Sequence, residues 1–279
     1  MTDELRRGTL DALAIESPAA KARAALALEG RLVSGALAIA PEMVLPVPDT
    51  PGRPQRPTLV DPRTVPRRRI GTVAGRAALI HAIAHIEFNA INLALDACCR
   101  FPGLPDAFYA DWLHVAAEEA THFDLLCHRL AALGHAYGDF EAHDGLWDAA
   151  RQTAADPLLR MALVPRVLEA RGLDVTPVLR DRLHRIGDTD TAVVLDVILR
   201  DEVGHVAIGS RWFAWLCNTR GVDPEATFRS LIGAERDPRV RLPLNREARR
   251  RGGFSESELA FLEDCATRRG RREPHAPAA

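Results

Sequence analysis

The chain has no C-x-x-C pair, no excess of either charge and no long apolar run free of polar residues. Each absence excludes something. Its five cysteines, Cys98, Cys99, Cys127, Cys217 and Cys265, are odd in number, and several fall in apolar helical stretches. They read as reduced, packed thiols of a cytoplasmic protein. With 36 Lys plus Arg against 38 Asp plus Glu, no global field calls for nucleic acid or an anionic membrane, so such a partner must be met by a local patch. The start, with Asp3, Glu4, Arg6 and Arg7, carries no apolar stretch leading to a small-residue cleavage site, and no secretion signal is expected. The most apolar part, 77–99, is broken by His81, His85, Glu87, Asn89, Asn92 and Asp96. That pattern predicts a core helix, with no membrane partner.

What is present is helical periodicity punctuated by proline and glycine. Residues 18–40 read as one or two helices, and 41–70 hold eight prolines. The prolines predict an extended arm packed on another surface, with a flexible tether as the alternative. Helices are expected over 72–101, stopped by Pro102-Gly103, and from Pro105-Asp106 to Leu133, ended by Gly134. Asp144 is a plausible N-cap for a short helix, and Asp156-Pro157 opens the next. Pro165 and Gly172 predict a kink or bulge on either side of Glu169. A helix over 188–218 follows, and helical pieces beyond it surround an arginine-rich stretch from Arg236 to Arg251. That stretch reads as a solvated surface or a clamp for carboxylates, with a phosphate or RNA contact as the alternative. The expected divisions are 1–70 (helix and arm), 71–220 (bundle) and 221–279 (C-terminal helical extension).

Chemistry enters with a repeated pattern: Glu87, then Glu119 with His122; Glu169, then Glu202 with His205. Residues three apart share a helix face, so each E-x-x-H presents both side chains together. The glutamates of each pair stand 32 and 33 residues apart, which suggests a duplicated helical hairpin carrying half a dinuclear site per copy. Glu87 lies in a stripe of Ile80, Ile83, Ala84, Ile91 and Ala94, and both E-x-x-H motifs are likewise flanked by apolar residues. Glu169 is the weakest member by pattern, since its stripe holds Pro165 and Gly172. Four carboxylates in an apolar interior need neutralising. Two divalent cations balance four negative charges, and hard oxygen donors with one imidazole per metal suit iron, or manganese, better than zinc. Ferritin-like di-iron and di-manganese bundles use this ligand set. The alternative is a bundle whose inward carboxylates are hydrogen-bonded or partly protonated.

Other residues are weighed against blander roles. His81 and His85 lie about 120° and 160° around the helix from Glu87 and so miss its face, which favours a structural role or a hydrogen bond to the arm. Glu118 competes with Glu119 but reads as outer support or surface, and Asp201 as either an orienting carboxylate or solvent-exposed. Tyr109 and Tyr137 are the only tyrosines, so a redox-active tyrosine has few candidates. His143 and Asp144 read first as capping residues.

The blocks HAIAHIEFNAINLALDACCRF, EEATHF, YGDFEAHDGLW, LEARGLDVTP, DEVGHVAIG and LNREARRRGGFS, spread over about 70–260, together resemble the ferritin-like family called domain of unknown function 455. The resemblance implies an all-α ferritin-like four-helix bundle with Glu87, Glu119, His122, Glu169, Glu202 and His205 as metal ligands. It also implies kinship with di-iron oxidases and hydroxylases, including the tRNA hydroxylase branch. Rubrerythrins add a C-x-x-C iron site that is missing here, and the arm and arginine-rich tail are unlike a ferritin cage subunit. The expected function is a cytoplasmic di-iron oxidoreductase that activates dioxygen or peroxide. Its catalytic carboxylates are Glu119 and Glu202, which shift to absorb the change in metal charge. Its partners are a small-molecule or RNA-borne substrate, an external electron donor and a second copy in a homodimer. Iron handling without an organic substrate and a non-catalytic RNA-binding scaffold are the competing classes.

Overall fold

The computed structural model describes residues 3–66, 68–233, 240 and 242–272. Among the described residues the chain is all-helical, with only isolated bridges and no strand. It divides into two compact units, Met1–Ala154 with Leu183–Val197, and Ala155–Arg182 with Ile198–Ala279.

The first unit begins with α1 (Leu5–Ala14), which was not anticipated from the sequence. Glu4 starts it, its carboxylate accepting from the main-chain N–H groups of Arg6 and Arg7 at 2.9 and 2.7 Å. Then α2 (Pro18–Val33) opens on a Ser17 cap with proline at its first position. The long helices α3 (Val73–Arg100) and α4 (Asp106–Ala132) pack against each other, with α1 on α3 and α2 on α4. Thr72 caps α3 through a 3.0 Å bond from Gly75 N–H, and positive-φ Gly103 and Gly134 reverse the chain after α3 and α4. By length and composition α3 could span a membrane, but its apolar window is 72% buried within the protein. It is a core helix. The short α5 (Gly145–Gln152) packs on α3.

The proline-rich arm is fastened along its length. Arg6, fully buried, donates to the carbonyls of Cys98 and Cys99 at the end of α3 and to those of Ala40, Pro41 and Met43 on the arm. The last helical carbonyls lack intrahelical partners, so one guanidinium both caps α3 and anchors the arm. Lys21, equally buried, donates to Leu13 O (2.9 Å), Gly52 O (2.6 Å) and Asn92 Oδ1. Farther along, the Trp147 indole donates to Asp49 O at 2.8 Å, and Thr58 and Val60 pair with Ala142.

A second fastening joins α3 to the loop after α4. His81 Nε2 accepts from Gly138 N–H at 2.9 Å, and its ring stacks on Tyr137 at 5.2 Å. His85 Nδ1 meets the Tyr137 hydroxyl at 2.8 Å, and its Nε2 lies 3.1 Å from both the His143 carbonyl and Asn89 Nδ2. These contacts give both histidines a structural role.

In the second unit, α6 (Pro157–Leu163) begins at an Asp156 cap. It passes into a π turn, Val164–Glu169, and then α7 (Ala170–Arg185), whose end belongs to the first unit. The irregularity expected around Glu169 is this π turn, and Pro165, which has no N–H to donate, lies inside it. The long α8 (Thr189–Thr219) begins in the first unit and continues through the second. Gly209 of α8 packs on Pro165 so closely that a Cβ there would lie 2.3 Å from the proline ring. Arg166, 2% exposed, is ringed by Phe213, Phe228 and Phe254 and donates to Glu258 at 2.7 Å and Ser210 at 3.2 Å. α9 (Pro224–Gly233), α10 (Arg246–Arg251) and α11 (Glu256–Arg272) complete the unit.

Two predictions follow from this packing. Gly209→Ala should lower stability by about 1–3 kcal/mol because the methyl overlaps Pro165. Gly204→Ala, five residues earlier with nothing within 4 Å of its Cβ, should raise it by up to about 1 kcal/mol. Urea denaturation of the two variants reads both directions. Burial and then the neighbouring His85 push the His81 imidazolium down to about 4 from 6.5. The unfolded chain therefore binds the extra proton between these values, and stability falls as pH drops from about 6.5 to 4. His81→Gln, which keeps an acceptor for Gly138 but cannot titrate, should flatten that fall by a few kcal/mol. Denaturation at pH 7 and pH 4.5 checks it.

Candidate metal centre

Glu87 reaches the interior because the residues three, four and seven places away on α3 are apolar and buried, among them Ile80, Ala84, Ile91 and Ala94. On α4, Val115, Ala116, Phe123 and Leu126 do the same for Glu119 and His122. Glu87 is 3% exposed, and Glu119 and His122 are fully buried. His122 Nδ1 lies 3.4 Å from Glu87 Oε2 and 3.4 Å from Glu119 Oε2. One ligand atom from each of the three lies within 4.8 Å of the others.

The electrostatics of this group are those of a place that wants a cation. Burial, and next the Glu119 carboxylate, hold the Glu87 carboxyl well above its usual range, while His122 works against them. Burial also opposes charge on His122, but bonds to Glu119 and Glu87 outweigh it and lift its imidazolium to about 11. A proton on the imidazole is thus the cation that two desolvated carboxylates recruit when nothing stronger is at hand. A divalent ion answers the same field with more charge. Two carboxylates and an imidazole form a donor set that could hold a metal ion. The three residues fit such an ion.

The second E-x-x-H motif is also turned inward. On α8, His205 is fully buried and Glu202 is 9% exposed, with His205 Nδ1 3.9 Å from Glu202 Oε1. Glu169 is half-buried and is the last residue of the π turn.

The remaining candidates settle in other places. Glu118 is partly exposed beside His114, whose other ring nitrogen meets Glu29 on α2 at 2.5 Å. Asp201 pairs with the neighbouring Arg200 at 2.7 Å. The Tyr109 hydroxyl donates to Phe101 O at 2.9 Å and closes the turn between α3 and α4. Asp144 stands at the N-cap position of α5, but its side chain makes no cap bond. Its carboxylate meets Arg53 at 3.0 Å instead, and His143 Nδ1 takes the Gly145 N–H. Of the arginine-rich stretch, Arg236, Arg239 and Arg241 lie outside the described residues. Arg249 is buried on Asp174 at 2.6 Å, Arg246 meets Glu256 and Glu263 at 2.5 and 2.7 Å, and Arg250 pairs with Glu256. These three are clamps between helices. The five cysteines are free thiols. The buried roles of Arg6, Lys21 and Arg53 leave no mark in the sequence, because a cation in an alanine-rich helix or a proline-rich arm looks like any surface residue.

These features define an all-helical protein with a buried carboxylate–imidazole group able to hold a metal ion. A family model described as "Protein of unknown function (DUF455)" matches residues 14–260. The chain belongs to that family. A Haemophilus influenzae protein carrying the description "Uncharacterized protein" is 49% identical over 229 residues, which is 80% of this chain and 79% of that one. No solved structure matches the chain.

Proposed function

We propose that the protein is a ferritin-like dinuclear metal oxidoreductase acting with dioxygen or peroxide on a small-molecule or RNA-borne substrate. Glu87, Glu119 and His122 supply one half of the ligand set and Glu169, Glu202 and His205 the other. The metals are two iron ions, with manganese the alternative, and electrons come from an external donor. The observation that carries this reading is the gathering of Glu87, Glu119 and His122, all nearly or fully buried, within 4.8 Å among apolar side chains. Removing carboxylates from water costs several kcal/mol each unless a cation compensates them. The bound pair would supply one-electron redox chemistry. The chain's own residues do the rest. The glutamates would hold the ions through their carboxylate oxygens. The imidazoles donate as neutral ligands, and the surrounding Ile, Ala, Val and Phe side chains exclude water.

Because carboxylates and imidazoles must be deprotonated to ligate, metal uptake releases the protons held at Glu87 and His122 and strengthens as pH rises. The test is metal analysis of protein purified without chelators, followed by thermal unfolding with added Fe(II) or Mn(II) under anaerobic conditions. Two metals per chain and a metal-dependent rise in melting temperature are expected for the natural sequence. Glu119→Gln should abolish that rise. The metal-free variant should be at least as stable as the metal-free parent, since it no longer buries that charge. A parent that binds no metal, or a Glu119→Gln variant that gains as much stability from metal as the parent, would overturn the proposal. Dioxygen consumption by the iron-loaded protein then separates an oxidase from a simple metal store.

A further inference from the structure

A cavity of about 270 Å³ lies in the first unit between the proline-rich arm and α3. Pro54, Pro57 and Leu59 of the arm and Phe88 of α3 line it with apolar atoms, and Tyr137 stands beside them. Its volume suits one small molecule. The exposed Gln55 and Thr58 mark its opening, whereas Phe88 and Asn89, 2% and 4% exposed, form its floor.

Most polar groups around this space are paired. The Tyr137 hydroxyl meets His85 Nδ1 at 2.8 Å. Arg53 pairs with Asp144 at 3.0 Å, and Arg151, which approaches Asp144 at 3.7 Å, pairs with Asp148. Two guanidiniums thus face two carboxylates, and the charges beside the cavity cancel. Asn89 is different. Its Nδ2 donates to the His85 carbonyl at 2.9 Å, which fixes the orientation of the amide because a carbonyl can only accept. The other amide atom, Oδ1, has no donor among the described residues, yet it is not one of the polar atoms that packing closes off. Since Asn89 is otherwise enclosed, this free acceptor opens on the cavity that the residue lines.

We infer that this cavity binds a neutral aromatic molecule carrying an O–H or N–H donor. The donor lies on Asn89 Oδ1, and the ring rests among Phe88, Leu59 and the arm prolines. Occupation gives a nearly buried carbonyl the partner it lacks. With the neighbouring charges balanced, an entering ion would lose its hydration and gain no opposite charge, so the ligand is neutral. Neither Glu87, Glu119 and His122 nor any metal takes part, so this site stands or falls separately from the oxidoreductase reading.

2-Naphthol is the probe, with naphthalene as the same ring pair lacking a donor, titrated into the full chain and followed by ligand fluorescence and melting temperature. 2-Naphthol should bind once per chain, and naphthalene at least about fivefold more weakly, the loss of one hydrogen bond to a nearly buried acceptor. A merely greasy crevice would favour naphthalene, the more apolar of the two. Asn89→Leu removes the acceptor and should abolish the preference for 2-naphthol. That variant also gives up the bond to the His85 carbonyl. Thr58→Trp therefore serves as a second variant, crowding the opening without touching Asn89, and it should weaken 2-naphthol by at least about fivefold. Glu119→Gln should bind 2-naphthol as the parent does, which distinguishes this cavity from a naphtholate captured at a metal. Any of these results would overturn the inference: no 2-naphthol binding by the parent, naphthalene bound as tightly, the preference kept in Asn89→Leu, unchanged affinity in Thr58→Trp, or binding lost in Glu119→Gln.

Discussion

Charge that has left water must be answered from within the protein, and the first unit is organised around that requirement. Its answers come in two kinds. Arg6 and Lys21 are buried cations answered by neutral oxygens, main-chain carbonyls and one amide, so they bind segments together. Glu87 and Glu119 are buried carboxylates that share the His122 imidazole at 3.4 Å, a distance longer than a good hydrogen bond. The first arrangement is complete in itself. The second could hold a metal ion.

The same contrast appears in the second unit. Arg166 and Arg249 are buried but tied to Glu258 and Asp174 in close pairs, with aromatic rings stacked over the guanidiniums. Those pairs hold helices in place. On α8 the buried Glu202 and His205 side chains stand 3.9 Å apart.

Much of this was legible in the residues. The stripes around Glu87, Glu119 and Glu202 placed those side chains inward, because apolar neighbours at helical spacing leave a side chain no other direction. Helix boundaries followed their punctuation closely: Pro102-Gly103 ended α3 and Asp156-Pro157 opened α6. What could not be read depended on distant partners. α1 hides in a short polar stretch, since its Arg6 bonds to residues more than ninety positions away. The path of the arm rests on main-chain bonds to Asp49, Thr58 and Val60, which leave no trace in side-chain pattern. Asp144 looked like a cap because its spacing was right. Its carboxylate went to Arg53 instead, since an ion pair outbids a cap bond when the arm brings a guanidinium within 3.0 Å.

The way Arg6 is used has a consequence for how the chain can be divided. The N-terminal segment supplies donors for the Cys98 and Cys99 carbonyls at the foot of α3, and Lys21 does similar service for Asn92 midway along it. A shortened polypeptide beginning at α3 would retain Glu87, Glu119 and His122 yet leave that helix with a frayed end and an empty socket. What looks like a leader and a linker is part of the foundation on which the acidic helix stands.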